Sequence, residues 1–218
     1  MRITLIHALQ HSPPPVAEAF ARLWPEATLM NLLDDSLSAD LSREGRLTEA
    51  MHNRFVVLSQ YAFATGSAGI LFTCSAFGPC IDRVKARSGG KPILKPNEAM
   101  IDEAVSHGGR IGLIATFPPT LASMPAEFPA QAELKPILAE GAMDALNRGN
   151  GAAHDALAVK AAMSLKDCDI IALAQFSLAR AAGPIAAATG KPVLTTPDSA
   201  VKRLRAMCLE PARPALAS

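Results

Sequence analysis

The chain repeats one strand-turn-helix passage at a fixed interval, and that repetition restricts the folds open to it more than any other feature. Residues Gly69-Ile-Leu-Phe-Thr-Cys-Ser-Ala-Phe-Gly78 lead to Gly90-Lys-Pro-Ile-Leu94, and Asp169-Ile-Ile-Ala-Leu-Ala-Gln-Phe-Ser-Leu178 lead to Gly190-Lys-Pro-Val-Leu194. The offset is 169 − 69 = 100 at one end and 190 − 90 = 100 at the other, with no gap. Two related α/β halves are expected, and halves of that kind face one another across a cleft. In the ungapped comparison Cys74 leaves the first strand where the second copy has Ala174, followed by Gln175. One side of the cleft then holds a thiol and the other an amide.

Short runs rich in Ile, Leu and Val alternate with longer helix-compatible stretches, the rhythm of βαβ units on parallel sheets. Strands are expected near 2–8, 27–33, 68–74, 92–95, 110–116, 133–138, 169–174 and 192–195. Helices are expected near 14–24, 46–65, 79–88, 97–107, 119–128, 139–165 with a break at Gly149-Asn-Gly151, 178–189 and 197–208. The fold class is therefore α/β, with two pseudo-symmetric parallel-sheet, flavodoxin-like halves. Boundaries near Pro96-Asn97 and Pro197 give a first half of 1–96 plus 197–218, joined by the last helix crossing back, and a second half of 97–196. The polar, Ser-rich segment Asp34 to Gly45 reads as a surface loop or mobile flap. The tail Glu210 to Ser218 has no periodicity and two prolines, and reads as loose on the surface.

Composition removes several function classes. With 21 basic and 20 acidic residues and a net charge of +1, the chain has no electrostatic bias toward nucleic acid or anionic membrane. No apolar run approaches the roughly 18 to 20 residues that span a bilayer. Ile3 to Leu9 is interrupted by His7 and followed by Gln10, His11 and three prolines, unlike a secretion signal. A cytoplasmic location is expected. Cysteines at 74, 80, 168 and 208 lack both disulfide-framework density and Cys-x-x-Cys spacing for zinc, so reduced thiols are expected. No Gly-x-Gly-x-x-Gly or Walker fingerprint points to a dinucleotide or nucleoside triphosphate. A symmetric homodimer or higher homo-oligomer is the base-rate expectation.

The chemistry concentrates at Thr73-Cys-Ser-Ala-Phe-Gly-Pro79. The carboxyl ends of parallel strands open onto the ligand crevice, and a helix starting at Pro79 aims backbone N–H groups at the same place. A cysteine there has its thiolate stabilised, so its pKa can fall toward working pH; the alternative is a buried Cys at a strand end. Ser75 and the N–H groups of Ser75 and Ala76 can hold a carboxylate or developing enolate. Across the cleft Gln175, Phe176, Ser177 and nearby backbone donors supply binding groups that do not titrate near neutral pH, although Ser177 also suits an N-cap. His7, at the end of the first strand, is either a second acid/base or a satisfied core or rim histidine. Thr116 and Thr120 can bind an anion or cap a helix, Asn97 is expected to cap the helix before Glu98, and Cys80 is a packing residue or a resolving thiol.

The Thr-Cys-Ser turn, the entry Lys91-Pro-Ile-Leu-Lys-Pro-Asn-Glu-Ala-Met100, the strand Gly112-Leu-Ile-Ala-Thr116 and the close Gly190-Lys-Pro-Val-Leu-Thr-Thr-Pro197 together resemble the aspartate/glutamate/hydantoin racemase superfamily. The resemblance covers nearly the whole chain and implies two pseudo-symmetric α/β domains with neither metal nor cofactor. It also implies racemase or isomerase activity beside the carboxylate of a small acid or amino-acid derivative, through a cysteine from each domain. The first family cysteine corresponds to Cys74, its neighbouring hydroxyl to Ser75, and a family threonine to Thr116. The second cysteine has no counterpart, since the family's Gly-Cys-Thr turn reads Ala174-Gln-Phe176 here. Two-sided racemisation needs two opposed acid/base groups, leaving His7 as the candidate partner of Cys74.

The superfamily also contains arylmalonate decarboxylase-like members with one cysteine, in the second half rather than the first, and maleate isomerase-like members with a thiol in each half. A single-cysteine malonate decarboxylase and a non-catalytic carboxylate-binding protein are the alternatives. Phe77, Phe117 and Phe176 lie at three of the expected turns and could make an apolar wall, suiting a substrate less polar than aspartate or glutamate.

Overall fold

A computed structural model describes residues 1–209, and the expectation for the tail Glu210 to Ser218 lies outside the described residues. The first sheet begins with β1 (Arg2–His7), α1 (Pro13–Leu23) and β2 (Thr28–Leu33). It continues through α2 (Ser36–Glu44), α3 (Glu49–Ala64), β3 (Gly69–Phe72), α4 (Gly78–Ala86) and β4 (Ile93–Leu94). After α5 (Glu98–His107) the second sheet takes β5 (Ile111–Ala115), α6 (Pro118–Ser123), β6 (Leu134–Leu138), α7 (Ala142–Asn147) and α8 (Gly151–Ala162). Next come β7 (Ile170–Leu173), α9 (Ala182–Thr189), β8 (Val193–Thr195) and α10 (Thr196–Leu209).

Both sheets are parallel, ordered β2-β1-β3-β4 and β6-β5-β7-β8. Every expected strand is present, shortened at its ends. The repeated Gly-Lys-Pro has a physical reason: Gly90 and Gly190 both sit at positive φ, 83° and 68°, a region that costs glycine little. Gly190 there closes α9 before β8.

Alternate residues along each strand feed opposite faces, as the pleat requires. On the first sheet Ile3, Leu5 and Leu71 pack with Val16 and Phe20, while Ile6, Ile70 and Phe72 pack with Phe55 and Ile81. The second sheet is covered likewise, with Ile114 and Ile171 toward α8 and Leu113 and Ala172 toward α5. Ala200, Val201 and Leu204 of α10 join Ile3 and Leu5, so the last helix returns to the first sheet. Its close approach depends on Gly69, where an added Cβ would lie 2.9 Å from Cys208 Sγ.

The segment Asp34 to Gly45, expected as loop or flap, contains α2. Leu37 is its one fully buried side chain. Arg54 of α3 fixes the segment, donating from Nε to Asp34 Oδ2 at 3.1 Å and from Nη1 to Asp40 Oδ2 at 2.7 Å. The expected helix over 119–128 divides into α6 and a short 3-10 helix, Met124–Glu127, and the helix over 139–165 breaks at Gly149 as anticipated.

Candidate active site

The carboxyl ends of β3 and β7 form opposite sides of one pocket of about 480 Å³. Sheet register gives the equivalence between the two sides. Ile70 pairs with Ile93, and Ile171 pairs with Val193; Thr73 N–H donates to Ile6 O, and Ala174 N–H donates to Ile114 O. Thr73 therefore corresponds to Ala174, and Cys74 to Gln175. This corrects the ungapped reading that placed Ala174 opposite Cys74, because the β7–β8 connection is one residue shorter than the β3–β4 connection. Cys74 (φ −124°, ψ 117°) and Gln175 (φ −141°, ψ 147°) are both extended, and each immediately precedes a 3-10 helix, Ser75–Phe77 or Phe176–Ala181.

Cys74, Ser75 and Ala76 line the pocket from the first side, and Gln175, Phe176 and Ser177 line it from the second. Burial raises the Cys74 thiol to about 11, opposed by the hydrogen bond from the Ala76 backbone. The expected fall toward working pH is thus reversed. Leu9, Leu41, Phe77 and Phe117 make much of the lining apolar, and no Lys or Arg lines the pocket among the described residues. A single 3-10 turn supplies too few oriented N–H groups to outweigh that desolvation. Cys80 and Cys208 are likewise raised to about 11 by burial.

Gln175 is fixed by Thr116. Its Oε1 accepts from Thr116 N–H at 2.6 Å and from Thr116 Oγ1 at 2.9 Å. Because a backbone N–H can only donate, the carbonyl end of the amide must face Thr116, leaving Nε2 as the donor for the pocket. Thr116 itself is buried behind Gln175 and does not line the pocket, so the anion contact expected of it is not made there.

His7 does not reach the pocket lining. Its ring is fully buried, with Nδ1 at 2.8 Å from Thr73 Oγ1 and Nε2 at 2.9 Å from Asn31 Oδ1. Asn31 accepts, so Nε2 carries the proton, and Nδ1 accepts from the Thr73 hydroxyl. Burial lowers the His7 pKa against the opposing effect of the Asn31 bond. The structure thus places His7 as a neutral support beneath Thr73, next to Cys74 in the chain.

Several lining residues escaped the sequence reading. His11 lies at the pocket, and its Nε2–H donates to Asn147 Oδ1 at 3.0 Å, joining the segment after β1 to α7. Ser75 Oγ and Thr120 Oγ1, at 3.3 Å, make a second link between the two sides. Ser38, Leu41 and Ser42 bring α2 over the pocket. Asn97, expected to cap α5, makes no side-chain cap bond; it lies at the pocket wall, 1% exposed, with Nδ2 and Oδ1 both buried and without a partner among the described residues. No sequence signal separates such an asparagine from an ordinary cap. Among the described residues no cluster of three or more His, Cys, Asp or Glu could hold a metal ion, and no helix is long and apolar enough to cross a membrane.

The sequence matches no family model and no curated protein. Solved structures do match over nearly the whole chain. Unliganded arylmalonate decarboxylase is 18% identical, with a TM-score of 0.64 over 98% of this chain and 95% of that one. Allantoin racemase from Klebsiella pneumoniae is 16% identical, with a TM-score of 0.68 over 100% and 96%. Glutamate racemase from Francisella tularensis, in complex with D-glutamate, is 14% identical, with a TM-score of 0.69 over 94% and 80%. Over nearly its whole length the chain shares its overall fold with these three proteins.

Proposed function

We propose that the protein is a cofactor-independent enzyme that transfers a proton at the carbon next to the carboxylate of a small acid or amino-acid derivative, with Cys74 as the acid/base. The observation that carries this reading is the pairing of Cys74 and Gln175 at equivalent positions on one pocket, where only the first can exchange a proton. Ser75 and the N–H groups of Ser75 and Ala76 hold the carboxylate. As charge spreads from the carbon onto that carboxylate, the same donors stabilise the enediolate.

In the racemase or isomerase reading, the Cys74 thiolate removes the proton and a second group returns one to the opposite face. Gln175 cannot do so. His7 is held beneath Thr73, and among the described lining residues His11 is the other acid/base side chain. A second reading, decarboxylation of a substituted malonate, is favoured by the raised Cys74 pKa. The C–C bond electrons pass to the remaining carboxylate as CO₂ leaves, and the neutral thiol then donates its proton to the carbon of the enediolate. Water restores the thiol. This route needs one proton donor and no opposed base.

Both readings are tested together in D₂O by NMR, with 2-phenylpropionate as the exchange substrate and methylphenylmalonate as the decarboxylation substrate. Wild type is expected to process one of them, and Cys74→Ala to lose at least about 100-fold in rate, the usual scale of positioned acid/base catalysis. Activity undiminished in Cys74→Ala refutes the role of the thiol. Binding of both acids without any turnover identifies a carboxylate-binding protein instead.

A further inference from the structure

Among the described residues lining the pocket, one has a buried side-chain polar group without a hydrogen-bond partner, and the chemistry at Cys74 does not use it. Asn97 stands between β4 and α5 with both ends of its side-chain amide lacking a hydrogen-bond partner. A buried amide left in that state is costly, and each such group calls for an explanation. Capping is not the explanation here, because the side chain makes no bond to the first turn of α5. A carboxylate ligand would satisfy Nδ2 but leave Oδ1 orphaned, since an ionised carboxylate only accepts. An N-acylated amino acid satisfies both: its amide N–H donates to Oδ1, and one oxygen of its own carboxylate, which an extended backbone turns to the same side, accepts from Nδ2.

The rest of the lining agrees with that complement. No Asp or Glu lines the pocket among the described residues, so a free ammonium group on the ligand would be desolvated without a counter-charge. An acylated nitrogen is neutral and carries the donor that Oδ1 lacks. Leu9, Leu41, Phe117, Met143 and Phe176 offer apolar surface for a side group.

We propose that Asn97 is a specificity-determining residue, and that the site takes an N-acylated amino acid with an apolar side chain in preference to the free amino acid. The proposal rests on the reading of this pocket as the substrate site, with one carboxylate oxygen at Ser75 and Ala76 and the other, together with the amide N–H, at Asn97.

The test is calorimetric titration with three probes: N-acetylphenylalanine, its ester counterpart O-acetyl-3-phenyllactate, which lacks only the amide N–H, and phenylalanine. Wild type is expected to bind the amide at least about 10-fold more tightly than either of the others, because a site built around a donor rejects the analogue without it. Asn97→Leu is expected to bring the amide-to-ester ratio to about one. Asn97→Asp, which keeps the shape but replaces the Nδ2 donor with negative charge, is expected to weaken the amide by at least about 10-fold. Equal affinities in wild type, no measurable binding of the amide at about 10 mM, or a ratio that Asn97→Leu preserves would overturn the proposal. Unchanged affinity in Asn97→Asp would do the same. Binding is read without turnover, so an inactive protein that keeps the amide preference refutes catalysis by Cys74 and leaves this inference standing. A catalytically active protein without the preference does the reverse.

Discussion

Alkylation of Cys74 measures the electrostatics of the pocket directly. Burial moves its pKa from the ordinary 9.0 to about 11. At neutral pH that lowers the thiolate fraction about 100-fold relative to a free cysteine. A more basic thiolate is also a better nucleophile, with a Brønsted slope of about 0.4–0.5, which recovers about 10-fold over the same interval. The net expectation is labelling by iodoacetamide about 10-fold slower than N-acetylcysteine at pH 7.5, before any steric restriction by α2. The pH dependence is the sharper signature. The Cys74 rate should keep rising close to tenfold per pH unit beyond pH 9, where an unperturbed thiol begins to saturate, and level off only near 11. Peptide mapping separates Cys74 from Cys80, Cys168 and Cys208. A plateau at or below pH 9, or labelling at pH 7.5 as fast as N-acetylcysteine, would show that the oriented N–H groups outweigh desolvation and would refute this account.

Two other predictions concern the groups that hold the site. Gln175→Leu removes the acceptor of the buried Thr116 N–H and hydroxyl, so urea unfolding should show a loss of about 1–3 kcal/mol, and a loss under about 0.5 kcal/mol would contradict the proposed lock. For His7, the folded pKa lies below its ordinary 6.5, so the unfolded chain binds the proton more readily; the stability contribution is full above about 6.5 and is lost as pH falls through that value toward the folded pKa. Urea midpoints measured from pH 7 down to pH 5 should therefore decline less steeply in His7→Gln than in wild type, and parallel slopes would show that His7 is not buried in its neutral form.

Much of this architecture is legible in the sequence because the strands are short, apolar and bounded by Gly, Pro and polar turns. All eight strands lie within the expected segments, and the turn at Cys74 opens onto the expected cleft. What the sequence hides has specific causes. Alpha-helix α2 is Ser-rich and buries one leucine completely, so its hydrophobic pattern is weak; its anchor, Arg54, lies 20 residues beyond Asp34 and 14 beyond Asp40. Such pairing leaves no periodic trace. The identity of Gly90-Lys-Pro92 and Gly190-Lys-Pro192 invites an ungapped alignment, yet the connection after β7 is one residue shorter. That single deletion conceals the correspondence of Cys74 with Gln175. His7 was misplaced for a different reason: a histidine at a strand end can face the crevice or the interior, and the partners that choose the interior, Asn31 and Thr73, come from neighbouring strands of the folded sheet.

The difference between the two sides of the pocket is more than the loss of a thiol. If Gln175 merely occupied space, its amide would be free to turn, and the second side would be a neutral wall. Instead Thr116 commits Oε1 through two hydrogen bonds, which orients the amide and turns a potential acceptor away from the pocket. The first side then carries the exchangeable proton, and the second a fixed donor that neither gains nor loses charge near neutral pH. In the proposed reaction a carboxylate or enediolate between them meets a hydrogen-bond donor on each side but, among the described lining residues, an acid/base side chain only at Cys74 and His11. On a pseudo-symmetric scaffold that arrangement favours chemistry with one stereochemical sense, so an inverting reaction here places its second proton-transfer burden on His11 rather than on the position equivalent to Cys74.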